Sequence, residues 1–288
     1  MKSASILRQK ISGSDPVLGV LATFHFWPGL VEIAIEAGMD FLIIDLEHLT
    51  HNHERVAEAC AIGRRANFPV LIRPPSSEFT PVRLALDLGP CGMLIPYVES
   101  IENLNEVRDA VYMKPRGRRR PGGLGNAWVQ DHDYNYSTWI REVEDDLIIL
   151  PQIESKKGLA NVDAIAQDPL TTAMAIGPYD LSADLGICWE PENPLLVEAF
   201  AQVKQSAAKA GKNMWVIGDG ATMMKRGFNF ICLTEAVTQL QGTLTQMVSD
   251  SRSAAQSSKD SPASNTGEIT QKAKYAKVRT KSAWPFGH

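Results

Sequence analysis

The chain lacks most of what marks a membrane, secreted or nucleic-acid-binding protein. No apolar run reaches the ~18 residues that a membrane-spanning helix needs, and the short polar start, Met1-Lys-Ser-Ala-Ser-Ile-Leu-Arg8, has no secretory apolar core. A cytoplasmic protein is expected, with neither membrane nor nucleic acid among its partners. The 29 Lys and Arg against 33 Asp and Glu leave a net charge of -4, so the basic excess of a nucleic-acid binder is missing. Cysteine is scarce: Cys60, Cys91, Cys188 and Cys232 are scattered, with no C-x-x-C spacing and no histidine in metal-ligand register. That argues against zinc and fits a reducing compartment, with Cys91 and Cys232 read as buried free thiols in apolar runs. Also absent are a Gly-x-Ser-x-Gly elbow and a Gly-x-Gly-x-x-Gly fingerprint. Pro121-Gly-Gly-Leu-Gly125 is not followed by the Gly-Lys-Ser/Thr of a phosphate loop.

What is present is a rhythm. Eight apolar, β-like runs, at 17–24, 41–46, 70–73, 92–98, 147–153, 172–176, 213–217 and 228–233, alternate with amphipathic stretches. Those stretches, at 29–37, 54–65, 81–88, 101–110, 158–166 and 195–210, start near Ser, Asn or Pro and stop near Gly or Asn, as helices do. Apolar strands without strict alternation suit a parallel sheet covered on both faces. Eight βα units in about 250 residues predict an α/β fold, a (β/α)8 TIM barrel, with a doubly wound open sheet as the alternative. The barrel is assigned to residues 1–250. Residues 251–288, rich in Ser, Lys, Ala and Asn, are expected to be a low-complexity, disordered tail. A long connection at 113–137 carries Arg116-Gly-Arg-Arg-Arg120 and several aromatics, and its length suggests a lid or binding loop.

In a barrel, residues at the C-terminal strand ends converge on one mouth. Here those ends carry Asp45, Glu47 and His48, then Arg73, Glu99, Glu154 and Asp180. Glu154 and Asp180 close two successive apolar runs without histidine or cysteine beside them, which suits Mg²⁺, or Mn²⁺ in its place. Each carboxylate also fits a helix cap. Arg73 ends a fully apolar run, so its charge must be matched; it is either a structural ion pair or a stabiliser of enolate oxygen or carboxylate. His48, three residues after Asp45, is a candidate general base held by a carboxylate. The arginine run at 116–120 reads as a solvated loop face, or else as an anion site. No expected strand ends on lysine, so a Schiff-base aldolase lacks its nucleophile.

Together, Asp40-Phe-Leu-Ile-Ile-Asp-Leu-Glu-His48, Pro69-Val-Leu-Ile-Arg-Pro-Pro75, Gln152-Ile-Glu-Ser-Lys-Lys-Gly158 and Ile176-Gly-Pro-Tyr-Asp-Leu-Ser182 resemble the HpcH/HpaI aldolase family. The resemblance runs from about residue 17 to 236. It implies Mg²⁺ (with Mn²⁺ or Co²⁺ as substitutes) on Glu154 and Asp180, and oxaloacetate or pyruvate as substrate. It further implies an enolate stabilised by Arg73, and His48 moving protons with support from Asp45 and Asp87. Gln152 and the Pro178-Tyr179 turn would bind the 2-oxo acid, and Tyr136 an acceptor. Phe24-His-Phe-Trp-Pro-Gly29 and Glu47-His-Leu-Thr50 point to a branch that decarboxylates oxaloacetate and adds the enolate to a 2-pyrone, giving a benzoate. A class II aldolase cleaving 4-hydroxy-2-oxo acids is the alternative, and a catalytically silent anion-binding barrel a further one. The resemblance also implies a homohexamer, with Asp87 serving a neighbour's site. The chain departs from the family where Glu-His-Gly-Pro becomes Glu47-His-Leu-Thr50 and where Tyr179 replaces a small residue.

Overall fold

Eight short parallel strands pair in chain order and close on themselves: β1 (Val17–Ala22), β2 (Phe41–Asp45), β3 (Val70–Arg73), β4 (Gly92–Ile95), β5 (Ile148–Ile153), β6 (Met174–Ile176), β7 (Met214–Ile217) and β8 (Phe230–Glu235). The structure is a computed structural model and describes residues 1–120 and 135–260. Closure confirms the barrel over the open sheet. Every residue of β2 through β6 is buried, which explains why these strands read as continuous apolar runs. Burying each Leu or Ile side chain contributes ~1.5–3 kcal/mol before entropy is counted.

The helices fall close to their expected places. Leu30–Glu36, His53–Ala66, Phe79–Asp87, Ile101–Val111 and Pro194–Lys209 each cover the barrel between strands. Asn52 caps the second of these by accepting from the N–H of Glu54 and Arg55, and Asn67 ends it in the left-handed conformation. The stretch expected as one helix at 158–166 is two, Lys156–Ala160 and Val162–Gln167, interrupted at Asn161.

Other elements have no counterpart among the expected runs. Residues Lys2–Ile11 form a helix, burying Ser3, Ala4, Leu7 and Ile11. Its end and the turn after it are tied to residues just ahead of strands: Asn213 donates to the Ile11 carbonyl and Asn229 to that of Gly13, while Arg8 donates to the carbonyl of Leu147. The helix therefore closes the barrel end opposite the mouth. A single π-helical turn, Ile140–Glu144, precedes β5. Finally, the helix Ala236–Asp260 runs through position 250, so residues 251–260 are helical. The barrel unit spans Met1–Gly242, and a second unit begins at Thr243, where Leu244, Met247 and Val248 are exposed on the helix. The rest of the expected tail, 261–288, lies outside the described residues.

The thiols behave as expected. Cys60, Cys91 and Cys232 are buried, and burial pushes the last two up to about 12. Cys188 alone is exposed. Among the described residues no helix is long and apolar enough to cross a membrane.

Candidate active site

The strand ends do converge. A cavity of about 600 Å³ opens at the C-terminal face, lined by residues following or ending seven strands, including Thr23, His48, Arg73, Glu154, Asp180 and Glu235. The opposite end of the barrel is covered by the first helix.

Arg73 and Asp45 end neighbouring strands in register, so their side chains meet. Arg73 donates from Nε to Asp45 Oδ1 at 2.9 Å and from Nη2 to Oδ2 at 2.6 Å. The Thr23 hydroxyl donates to Oδ2 at 2.9 Å, and the N–H of Glu47 to Oδ1 at 2.9 Å. Asp45 is fully buried and Arg73 nearly so. Burial alone would raise the Asp45 carboxyl, yet the hydrogen bonds and charge of Arg73 hold it below its ordinary value. Glu47 stands 3.2 Å from Arg73 Nε, and burial raises its carboxyl despite that guanidinium.

Arg73 is thus ion-paired and also lines the cavity. The expected support of His48 by Asp45 is not found, because both Asp45 oxygens are taken by Arg73, Thr23 and Glu47. His48 is half-exposed on the cavity wall, with Nε2 3.9 Å from Glu47 Oε2.

Glu154, just past β5, is buried; the Tyr97 N–H donates to its Oε2 at 2.8 Å. That N–H is presented by a backbone held at φ 52°, in the left-handed region. Oε1 of Glu154 is buried without a hydrogen-bond partner, as is Oε1 of Gln152. Burial, followed by the charges of Glu47 and Asp180, pushes Glu154 up to about 8. The glycine at 177 leaves room for both side chains, since a Cβ there would displace Glu154 Oε1 and come within 2.7 Å of Gln152 Nε2.

Asp180 lies exposed in the first turn of the helix Pro178–Leu185 and faces the same cavity. An orphaned buried carboxylate oxygen beside a second carboxylate is what a hard divalent cation relieves, and the donor set is all oxygen. Glu154 and Asp180 thus fit a metal. Among the described residues no cluster of three or more His, Cys, Asp or Glu makes a closed site; Mg²⁺ typically needs only one or two carboxylates, completed by water and substrate. Pro178 and Tyr179 also line the cavity, where the first N–H groups of their helix lack intrahelical partners.

Asp87 is elsewhere. It ends the helix Phe79–Asp87 and is held by Arg83 at 2.9 Å and Arg119 at 2.8 Å. A helix following β3 runs back toward the opposite end of the barrel, so this chain's Asp87 does not reach this chain's His48. The arginine run is not a uniformly solvated face: Arg119 is buried, Arg116 pairs with Glu144 and Asp145, and Arg118 pairs with Asp109. Tyr136 begins a short helix, Tyr136–Trp139; its side chain, and residues 121–134, lie outside the described residues.

The cavity also holds residues that the sequence does not single out, among them Thr23, Glu235, Trp215 and Trp189. Thr23 and Glu235 follow the same strand-end rule as the others, but the eighth apolar run stops at 233, two residues short of Glu235. Trp215 reads as ordinary strand filling. Trp189 carries no local signal; its ring stacks on Tyr179 with centroids 4.0 Å apart and planes at 22°.

The family model HpcH/HpaI aldolase/citrate lyase matches residues 25–233. A 4-hydroxy-2-oxo-heptane-1,7-dioate aldolase of Salmonella arizonae is 30% identical over 247 residues, 82% of this chain and 88% of its own. Among solved structures, an HpcH/HpaI aldolase from Desulfitobacterium hafniense superposes with a TM-score of 0.76 at 29% identity, covering 91% of this chain and 99% of its own. Macrophomate synthase superposes with a TM-score of 0.74 at 24% identity over 89% and 90%, a likeness of fold.

Proposed function

Because the chain belongs to the HpcH/HpaI aldolase/citrate lyase family, we propose that it is a divalent-metal-dependent carbon–carbon lyase that works through the enolate of pyruvate. The observation that carries this reading is one cavity holding both a guanidinium fixed by Asp45 and a buried carboxylate with an unpartnered oxygen. Glu154 and Asp180 would hold the ion, Mg²⁺ or a substitute such as Mn²⁺ or Co²⁺. When bound, the ion supplies Lewis-acid stabilisation of charge developing on a 2-oxo acid.

The chain's own residues do the rest. Arg73 commits two of its five N–H donors to Asp45 and offers the others to the oxygen on which enolate charge builds. Its geometry is set beforehand, so no reorganisation is needed at the moment of reaction. The N–H groups of Tyr179 and Asp180 would receive the substrate carboxylate, with Gln152 lining the same cavity. Pro178 contributes shape only, having no N–H. His48, at the rim, moves the proton to or from the acceptor oxygen or the enolate carbon.

Two reactions share this half. One is cleavage of a 4-hydroxy-2-oxo acid to pyruvate and an aldehyde. The other, macrophomate synthase-like, is decarboxylation of oxaloacetate and addition of the enolate to a 2-pyrone. The stacked Tyr179 and Trp189 rings favour the second as a surface for a flat acceptor. The purified protein, supplied with Mg²⁺ or Mn²⁺, is expected to release pyruvate from a 4-hydroxy-2-oxo acid or to consume oxaloacetate faster than the ion alone. An acyl-2-pyrone added with oxaloacetate identifies the second reaction by a new aromatic absorbance. Folded protein that does neither with metal present sinks the lyase reading.

We further propose a homohexamer in which Asp87 serves the His48 of a neighbouring subunit. Mixed oligomers of Asp87→Ala and His48→Ala chains are then expected to regain activity that each variant lacks alone. Full activity in a sedimenting monomer, or silence of the hybrids, rules out sharing.

A further inference from the structure

Glu235 ends β8 and divides its carboxylate between two segments. Oε1 accepts from the N–H of Thr23 at 3.4 Å and of Phe24 at 3.3 Å, on the segment leaving β1. Oε2 accepts from the N–H of Thr238 at 2.7 Å, in the first turn of the helix Ala236–Asp260. Thr23 passes the connection on, because its hydroxyl donates to Asp45 Oδ2, the same oxygen that receives Arg73 Nη2. A continuous hydrogen-bonded path thus runs from the helix start through Glu235, Thr23 and Asp45 to the guanidinium.

We propose that Glu235 is a positioning residue for Arg73, acting through Thr23 and Asp45. Three observations require some such anchor. The β1–β8 ladder shifts register between Gly19 and Leu21, and β1 ends at Ala22, so the sheet itself does not hold Thr23 and Phe24. Their N–H groups need an acceptor, and the carboxylate of Glu235 is the one present. The chain then turns sharply, with His25 at φ 44° in the left-handed region; a residue other than glycine holds that conformation only where its surroundings enforce it. Asp45, meanwhile, is fully buried. No solvent replaces the Thr23 hydroxyl if it moves, and Oδ2, the oxygen that receives Arg73 Nη2, then loses the one contact that holds it from the β1 side, so the carboxylate can tilt about its broad terminal torsion and carry Arg73 with it.

The inference rests on the lyase reading for its kinetic test only. In that test, Glu235→Ala is expected to lower kcat for pyruvate release or oxaloacetate loss about tenfold with KM nearly unchanged. Glu235→Gln, which keeps an oxygen for Thr23 and Phe24, restores most of it. Thr23→Val gives a similar loss, and the double variant is no worse than the poorer single one, because both cut one path. The second readout needs neither metal nor substrate: the Nε–H resonance of Arg73 in ¹⁵N-labelled protein, sheltered by Asp45, exchanges faster in Glu235→Ala and Thr23→Val than in the parent protein. If that exchange is unchanged in Glu235→Ala, or if the two kinetic losses multiply in the double variant, the positioning role is overturned. Faster exchange in a parent protein without lyase activity would uphold the path and overturn the function.

Discussion

Arg73→Ala is expected to lower turnover on the 2-oxo acid by ~10²–10³-fold, the usual cost of removing one preorganised oxyanion donor. The same change is expected to destabilise the fold by ~3–5 kcal/mol, because it leaves Asp45 charged and buried without its partner. These two effects belong to different aspects of the residue and can be separated. Adding Asp45→Ala to Arg73→Ala removes the orphaned charge, so much of the stability returns while turnover stays low. Arg73→Lys is no conservative change at this position, since an ammonium cannot reproduce the two-point contact with Asp45. Steady-state kinetics and urea unfolding on the four proteins decide the matter. A double variant that regains both stability and rate would reduce Arg73 to a structural ion pair.

The second large effect lies at Glu154, and pH reveals it. Burial, reinforced by Glu47 and Asp180, pushes this carboxyl up to about 8, against the opposing Tyr97 N–H and Arg73 charge. Between the ordinary 4.5 and about 8, the metal-free folded protein therefore binds a proton that the unfolded chain does not. The stability owed to this group is complete below about 4.5 and is lost as pH rises through about 8. Glu154→Gln, permanently neutral, escapes that loss and is expected to be the more stable metal-free protein at pH 9, by up to ~5 kcal/mol. Metal reverses the ranking, because coordination demands the carboxylate. The parent protein gains thermal stability from Mn²⁺ and releases a proton on binding it below pH 8, whereas Glu154→Gln gains little and does not turn over. Melting curves with and without Mn²⁺, and calorimetry in two buffers of different ionisation enthalpy, read both signs. Equal stabilisation of the variant by Mn²⁺ would move the metal away from Glu154.

Much of this was legible before any coordinate. The barrel follows from eight apolar runs with helical spacers, because strands buried on both faces leave a signal of continuous hydrophobicity. Glu154 and Arg73 stood out because a charge terminating such a run is anomalous. What could not be read were contacts set by register and side-chain reach. That Asp45 spends itself on Arg73 and not on His48 depends on β2 and β3 ending level, which no periodicity encodes. The displacement of Asp87 from the mouth follows from the order of strand and helix, but its pairing with Arg83 and Arg119 does not. Trp189 reaches Tyr179 from the loop beyond a helix, and its stacking has no local trace. The first helix leaves too weak a pattern in the sequence, being a short polar stretch with four buried residues.

The distribution of sulfur has a practical corollary. Three thiols are sealed in the interior, and the fourth, Cys188, is the immediate neighbour of the ring that rests on Tyr179. Thiol chemistry on the native protein is thereby confined to a single address at the rim of the cavity. A fluorophore attached there would report from beside the acceptor surface without any cysteine having to be engineered in or out, so the molecule carries its own optical window onto the step where aldolase and synthase readings diverge.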